Sequence, residues 1–225
     1  MQAIILAGGL GTRLRSVLTD VPKPMAPIHG KPFLAYLIGY LKSQGITEII
    51  LSVHYLREQI QDYFKSSYQG VSIRYAIEEE PLGTGGAILH ALKLVDPSQP
   101  VFVLNGDTFV KLNYQAMYQE KNNLMAMALR NVPDCSRYGV VRVENQKVVA
   151  FEEQGGHYPG AINAGVYLLS STLFQSYSLP KSFSFERDFL FPNIATLQPQ
   201  AFMVEDYFID IGIPEDYARA LKEFV

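Results

Sequence analysis

The run Ala3-Ile4-Ile5-Leu6-Ala7-Gly8-Gly9-Leu10-Gly11-Thr12-Arg13-Leu14 decides how the chain is read. Its first four residues are continuously apolar, the pattern of a buried strand. The glycines that follow permit a sharp turn, and none carries a Cβ that would hold a bulky anion at a distance. Consecutive bare amides in such a turn form a concave anion site. Arg13 adds a rigid fork of donors suited to phosphate oxygens. Further on, Pro22-Lys23-Pro24-Met25 sets one lysine between two prolines on a stiff, extended arm. The pattern predicts a triphosphate cradle with two cations, built from Leu6, Ala7, Gly8, Gly9, Gly11, Thr12, Arg13 and Lys23. The plainer alternative is a glycine-rich turn after an edge strand.

Two familiar glycine loops are excluded. A P-loop ends in Gly-Lys-Ser/Thr, whereas Gly11 is followed by Thr12-Arg13. The dinucleotide fingerprint asks for a third glycine where Leu14 stands, and for an acidic residue closing the second strand. That strand closes with Ser52-Val53-His54.

Working outward, strands and helices alternate. Pro32 suits a first helical position, and the apolar spacing of Phe33, Leu34, Leu37, Ile38 and Leu41 predicts a helix to Gln44, closed by Gly45. Strands are expected over Glu48–Val53, Val71–Ile77 and Val101–Leu104, with helices over Leu56–Phe64 and Gly85–Leu94. Such alternation predicts an α/β fold with a mainly parallel sheet covered on both faces. Ligands then bind beyond the carboxyl ends of the strands. The glycine loop, Glu78 to Gly86, and Asn105-Gly106-Asp107 all follow strands, so they should share one rim. The second half is less regular. Strands are expected over Met125–Arg130, Gly139–Val143, Lys147–Phe151 and Gly165–Leu169, as a mixed extension of the same sheet. Phe185–Leu197 could be helical but is interrupted by Pro192, and a terminal helix begins at Pro214. With no linker or repeat, 1–225 is expected to be one domain. Within it, one part around the glycine loop would cover roughly 1–110 and a second part roughly 111–225.

A chain of 225 residues, 48% hydrophobic, can bury a substantial core. Its net charge of −3 offers no general attraction to nucleic acid or acidic membrane surfaces, so any cationic site is local. One cysteine, Cys135, excludes an internal disulfide framework and suits a reducing cytoplasm. The N-terminal apolar run is about five residues long and lacks a basic segment before it, so a strand is expected there rather than a signal peptide. No stretch approaches the ~20 apolar residues of a membrane span.

Gly8-Gly9-Leu10-Gly11-Thr12-Arg13-Leu14 followed by Pro22-Lys23-Pro24-Met25 resembles the signature of the sugar-1-phosphate nucleotidyltransferases. Further matches recur down to Tyr217. The resemblance implies a Rossmann-like three-layer sandwich of the nucleotide-diphospho-sugar transferase type. It implies an enzyme that joins a nucleoside triphosphate to a sugar 1-phosphate and releases pyrophosphate. Arg13, Lys23 and Asp107 would then be catalytic. Together with the short chain, it implies D-glycero-D-manno-heptose 1-phosphate as acceptor. A homo-oligomer is allowed for.

Asp107 follows a buried strand, where a carboxylate can hold Mg2+ together with phosphates and water. Asp210, in Phe208-Ile209-Asp210-Ile211-Gly212, would be the second metal ligand, and both match the family's metal-binding aspartates. The alternatives are a strand-end cap for Asp107 and a helix cap for Asp210. Glu78 aligns with the family position that reads the base edge. Guanine presents adjacent N1–H and N2–H₂ donors, and a carboxylate only accepts, so Glu78 favours GTP over UTP or dTTP. Gly83, Thr84, Gly85 and Gly86 would let the backbone approach base and ribose.

Gly139 (after Tyr138), Glu153 and Asn163 match positions that line the sugar phosphate in relatives. Where relatives commonly carry a lysine after this glutamate, the chain has Gln154, which puts the acceptor-phosphate contact in doubt or shifts it elsewhere. His29, His54, His90 and His157 show no metal-ligand spacing and are expected to be structural or exposed, and Cys135 is given no role. Alternatives within the enzyme class are mannose-1-phosphate guanylyl transfer, or uridylyl or thymidylyl transfer. Outside it stands a nucleotide-sugar-binding regulatory subunit, which would be free to lose Arg13, Lys23, Asp107 and Asp210.

Overall fold

The structure, a computed structural model, describes residues 1–9, 18, 20–152 and 155–224. From the N-terminus come β1 (Gln2–Leu6), a small hairpin of β2 (Pro27–Ile28) and β3 (Lys31–Pro32), α1 (Phe33–Ser43), β4 (Glu48–Val53) and α2 (Arg57–Phe64). Next are β5 (Ser67–Tyr68), β6 (Val71–Ile77), α3 (Gly83–Leu92), β7 (Val101–Asn105), β8 (Thr108–Val110) and α4 (Tyr114–Tyr118). The chain continues with β9 (Met125–Val132), β10 (Val140–Glu144), β11 (Lys147–Glu152) and β12 (Gly160–Leu169). It ends with α5 (Phe191–Leu197), β13 (Gln200–Val204), β14 (Phe208–Asp210) and α6 (Pro214–Glu223).

One sheet runs through both halves in the order β10-β11-β13-β9-β12-β7-β1-β4-β6-β5. β1 lies between β4 and β7, parallel to both, with Leu6 opposite Ser52 on one side and Asn105 on the other. β4 and β6 are also parallel. These four strands therefore end on one rim, as the alternation predicts. β12 then joins antiparallel to β7 and carries the sheet into its mixed half. A register shift between Asn163 and Tyr167 bends β12, and Gly165 takes the positive φ of 71° that the bend requires.

The two faces of β1 feed separate apolar layers, as strand alternation demands. Ala3 and Ile5 pack with Leu34, Leu37, Ile38 and Leu41 of α1 and Phe64 of α2. Ile4 faces the other way, towards Ile88 and Ala91 of α3 and Phe185 and Phe189. Each leucine, isoleucine or phenylalanine among them, fully buried, contributes about 1.5–3 kcal/mol. A third cluster seats α6 through Tyr217 and Ala220 on Ile209 and Ile211, and so fixes β14 beside β8.

Some local expectations are corrected. Pro32 sits one residue before α1, still in extended backbone at ψ 144°. Leu56 precedes α2 in left-handed backbone rather than opening the helix. Residues Phe185–Leu190 form a π-helix that runs into α5, and Pro192 does not interrupt it. It stands in the first turn of α5, where a missing N–H costs least. β12 begins at Gly160, five residues before Gly165.

Candidate active site

A cavity of about 420 Å³ opens beyond the carboxyl ends of the parallel strands. β1 leads into Leu6, Gly8 and Gly9, β4 into His54 and β6 into Glu78. The start of α3 gives Gly83 and Thr84, β7 gives Asn105 and then Asp107, and β14 gives Asp210. Ala7 lies beneath this floor, buried, its amide donating to the Ser52 carbonyl at 2.8 Å. Gly11, Thr12 and Arg13 lie outside the described residues.

Lys23, Asp107 and Asp210 meet at the cavity's edge. The Lys23 ammonium donates to Asp107 Oδ2 and lies 4.0 Å from Asp210 Oδ1. Its side chain is only 10% exposed, whereas the two carboxylates are 29% and 35% exposed. Backbone geometry holds the three together. β8 and β14 pair antiparallel with Thr108 opposite Asp210, and the Ile211 amide donates to the Asp107 carbonyl at 3.0 Å. Gly106 donates to the Leu6 carbonyl at 2.9 Å, and a Cβ there would lie 2.8 Å from that same oxygen. The Asp107 turn is thus tied directly to β1. Asp210 Oδ1 accepts from the Gly212 amide at 2.8 Å. Two carboxylates already converging on one cation suit a divalent ion, which would share them with substrate phosphates. Among the described residues no group of three or more His, Cys, Asp or Glu side chains could hold a metal alone.

Glu78 is buried at the cavity wall. Oε1 accepts from the Ser52 hydroxyl at 2.8 Å and Oε2 from the Leu82 amide at 3.2 Å. Each oxygen keeps a second lone pair for a further donor. The following glycines have a use the sequence did not show. A Cβ on Gly83 or Gly86 would collide with the backbone of Phe183 or Lys181, and one on Gly85 with the Phe183 ring. The chain at 181–185 therefore straps across the start of α3, with Gly85 N donating to Phe183 O at 2.9 Å. The freedom read as room for base and ribose is used, at Gly85 and Gly86, for this packing. Thr84 Oγ1 likewise accepts from the Phe185 amide at 2.8 Å and donates to Glu186 at 3.0 Å.

In the second half of the chain, Asn163 donates to the Tyr167 hydroxyl at 2.6 Å and accepts from the Gly165 amide at 2.9 Å. Tyr167 donates in turn to Glu186 at 3.2 Å, so a polar chain links Asn163 to Thr84 through a buried phenol. Burial, together with the Glu186 charge, pushes that phenol's pKa well up. Gly139 is half-buried beside Tyr138. A smaller cavity of about 160 Å³ lies next to Tyr138, bounded by the end of β9, β14 and α6, and Asp210 lines both cavities. Glu153 lies outside the described residues.

Sequence reasoning missed His54, Tyr167 and Glu186. His54 lines the cavity with Nδ1 2.8 Å from the Glu78 carbonyl, and its position at the end of β4 was the signal available. Glu186 carries no comparable signal, because its strap reaches α3 from about a hundred residues away.

Comparison with known proteins agrees with this fold. A family model described as nucleotidyl transferase matches residues 2–224. D-glycero-alpha-D-manno-heptose 1-phosphate guanylyltransferase of Campylobacter jejuni is 50% identical over 98% of this chain and 99% of its own. The protein of the same name from Aneurinibacillus thermoaerophilus is 46% identical over 99% and 98%. Among solved structures, HddC from Yersinia pseudotuberculosis, complexed with GMP-PN, superposes with a TM-score of 0.89 at 42% identity, covering 100% of this chain and 99% of that one. The mixed sheet with its covering helices is the nucleotide-diphospho-sugar transferase fold. The chain belongs to the nucleotidyl transferase family.

Proposed function

We propose that the chain is a guanylyltransferase that transfers GMP from GTP to a sugar 1-phosphate, giving a GDP-sugar and pyrophosphate. D-glycero-α-D-manno-heptose 1-phosphate is the acceptor. The observation that carries this is the meeting of Lys23, Asp107 and Asp210 at the edge of a cavity that Gly8 and Gly9 also line. Half-identical relatives named for this reaction support it. A regulatory subunit has no need of this cation–carboxylate cluster.

An acceptor phosphate oxygen attacks the α-phosphorus. One P–O bond forms, the α–β bridging P–O bond breaks, and pyrophosphate departs. A phosphate monoester is already largely ionised at pH 7, so no general base is needed. Catalysis reduces to alignment and charge neutralisation. Gly8, Gly9, Gly11 and Thr12 hold the triphosphate, and Arg13 neutralises the leaving pyrophosphate. Lys23 steadies the α-phosphate and the incoming phosphate. Asp107 and Asp210 hold a divalent cation, for which magnesium is the natural choice, and it supplies charge neutralisation at the phosphates. Glu78 accepts from the guanine edge, with Gly83 and Thr84 beside it, while Gly139, Glu153 and Asn163 take the role of binding the sugar phosphate. The nucleotide-binding part covers roughly 1–110 and the sugar-phosphate-binding part the remainder of one domain. No helix among the described residues is long and apolar enough to cross a membrane, which suits a cytoplasmic location.

Pyrophosphate release with GTP and a panel of sugar 1-phosphates tests the proposal. Release only when both substrates are present supports it. No release with any sugar 1-phosphate would overturn it.

A further inference from the structure

Resting on the reading of Glu78 as the group that accepts from guanine, we infer that Ser52 sets the preference for that base, as a positioning residue acting through Glu78. In the sequence Ser52 is one small residue inside an apolar strand. It is fully buried in β4, opposite Leu6 of β1 on one side and Ala76 of β6 on the other. A hydroxyl in such surroundings is costly unless it has a partner. Its partner is the carboxylate of Glu78, whose Oε1 accepts from it at 2.8 Å.

A base reader of this kind needs such a bond. Guanine presents N1–H and N2–H₂ side by side in the plane of its ring, so a carboxylate meets both only when its own plane is aligned with them. The last torsion of a glutamate side chain is broad, with no steep well to hold that plane. Two donors from different elements hold it instead. Ser52 takes Oε1, and the amide of Leu82, the residue before α3, takes Oε2 at 3.2 Å. The backbone of Glu78 is fixed as well. Its amide donates to the Val53 carbonyl at 2.9 Å, and its carbonyl accepts from His54 Nδ1 at 2.8 Å. The bond to Leu82 is the longer one and comes from a loop, whereas Ser52 is held in the middle of the sheet. Ser52 is thus the firmer of the two anchors. Its own carbonyl accepts from the Ala7 amide at 2.8 Å, which ties Glu78 to the end of β1, where Gly8 and Gly9 follow.

The test compares GTP with ITP, whose base keeps N1–H and lacks the N2 amino group, in pyrophosphate release with the heptose 1-phosphate. Wild type should favour GTP by about tenfold or more in kcat/KM, the worth of one charge-assisted hydrogen bond. Ser52→Ala frees the carboxylate to swing, so one oxygen still meets N1–H while the second contact is lost. The preference should shrink to within about threefold, through a loss with GTP, while the acceptor KM stays within about twofold. Ser52→Cys, close in size but only a weak donor, should behave like Ser52→Ala. Ser52→Thr keeps the hydroxyl and should regain most of the preference. Melting temperature serves as the fold control, since a merely structural serine would change stability without moving the ratio of the two nucleotides. Glu78→Gln is the control on the underlying reading. If wild type shows no preference for GTP over ITP, or Glu78→Gln keeps it in full, Glu78 does not read the base and the inference falls with it. If Glu78→Gln loses the preference while Ser52→Ala and Ser52→Cys keep it, the inference about Ser52 alone is overturned.

Discussion

Lys23 presses its ammonium against the carboxylate of Asp107, a residue 84 positions further along the chain, at the edge of the larger cavity. Asp210 stands 4.0 Å away on the other side. The lysine therefore serves as a built-in counter-cation for the pair that is proposed to take a divalent ion. Removing it leaves two carboxylates facing one another, and each then favours an incoming cation more strongly. Lys23→Ala should bind Mg2+ about tenfold more tightly in the absence of nucleotide, by calorimetry, while kcat/KM for GTP falls about a hundredfold. Unchanged Mg2+ affinity would show that Lys23 does not compete for this site.

Asp107→Asn and Asp210→Asn should each lower kcat by about a hundredfold or more, with circular dichroism unchanged. EDTA should abolish wild-type turnover, and added Mg2+ should restore it. In either variant the Lys23 ammonium, only 10% exposed, keeps the remaining carboxylate as its counter-charge. Wild-type activity in either variant would remove that residue from the metal site.

Gly85→Ala should destabilise the fold by about 1–3 kcal/mol, the usual cost of overpacking. Its Cβ would stand on the ring of Phe183, which is buried. Urea denaturation measures the loss, and a midpoint equal to wild type would show that the strap at 181–185 yields freely.

Tyr167→Phe removes the middle of the chain from Asn163 to Glu186. Two partly buried polar groups lose a partner, a loss of about 1–3 kcal/mol. The acceptor KM should rise more than the GTP KM, because Asn163 is the end nearer the proposed sugar side. Equal changes in both would make the chain a purely structural brace.

The parallel core was legible because its strands are long, apolar and separated by periodic helices. Ala3–Leu6 and Val101–Leu104 could be read almost residue for residue. β8 and β14 were not foreseen. Each is three residues long, too short for a period, and their pairing joins Thr108 to Asp210 across the chain. Asp107 and Asp210 were named from their strand-end setting and the family signature. Their meeting through Lys23 depends on that unforeseen pairing. The glycines after Glu78 were read for ligand approach because close packing by a distant strap leaves no local mark. Glu78 was read by the chemistry of guanine, and its bonds to Ser52 and Leu82 emerge only from the fold.

The most direct test offers the protein equal concentrations of GTP, UTP, dTTP and ATP with D-glycero-α-D-manno-heptose 1-phosphate and Mg2+, and identifies the nucleotide sugars by mass spectrometry. The account predicts GDP-heptose as the dominant product, together with stoichiometric pyrophosphate. Predominance of a UDP- or dTDP-sugar, or no nucleotide sugar at all, would contradict it.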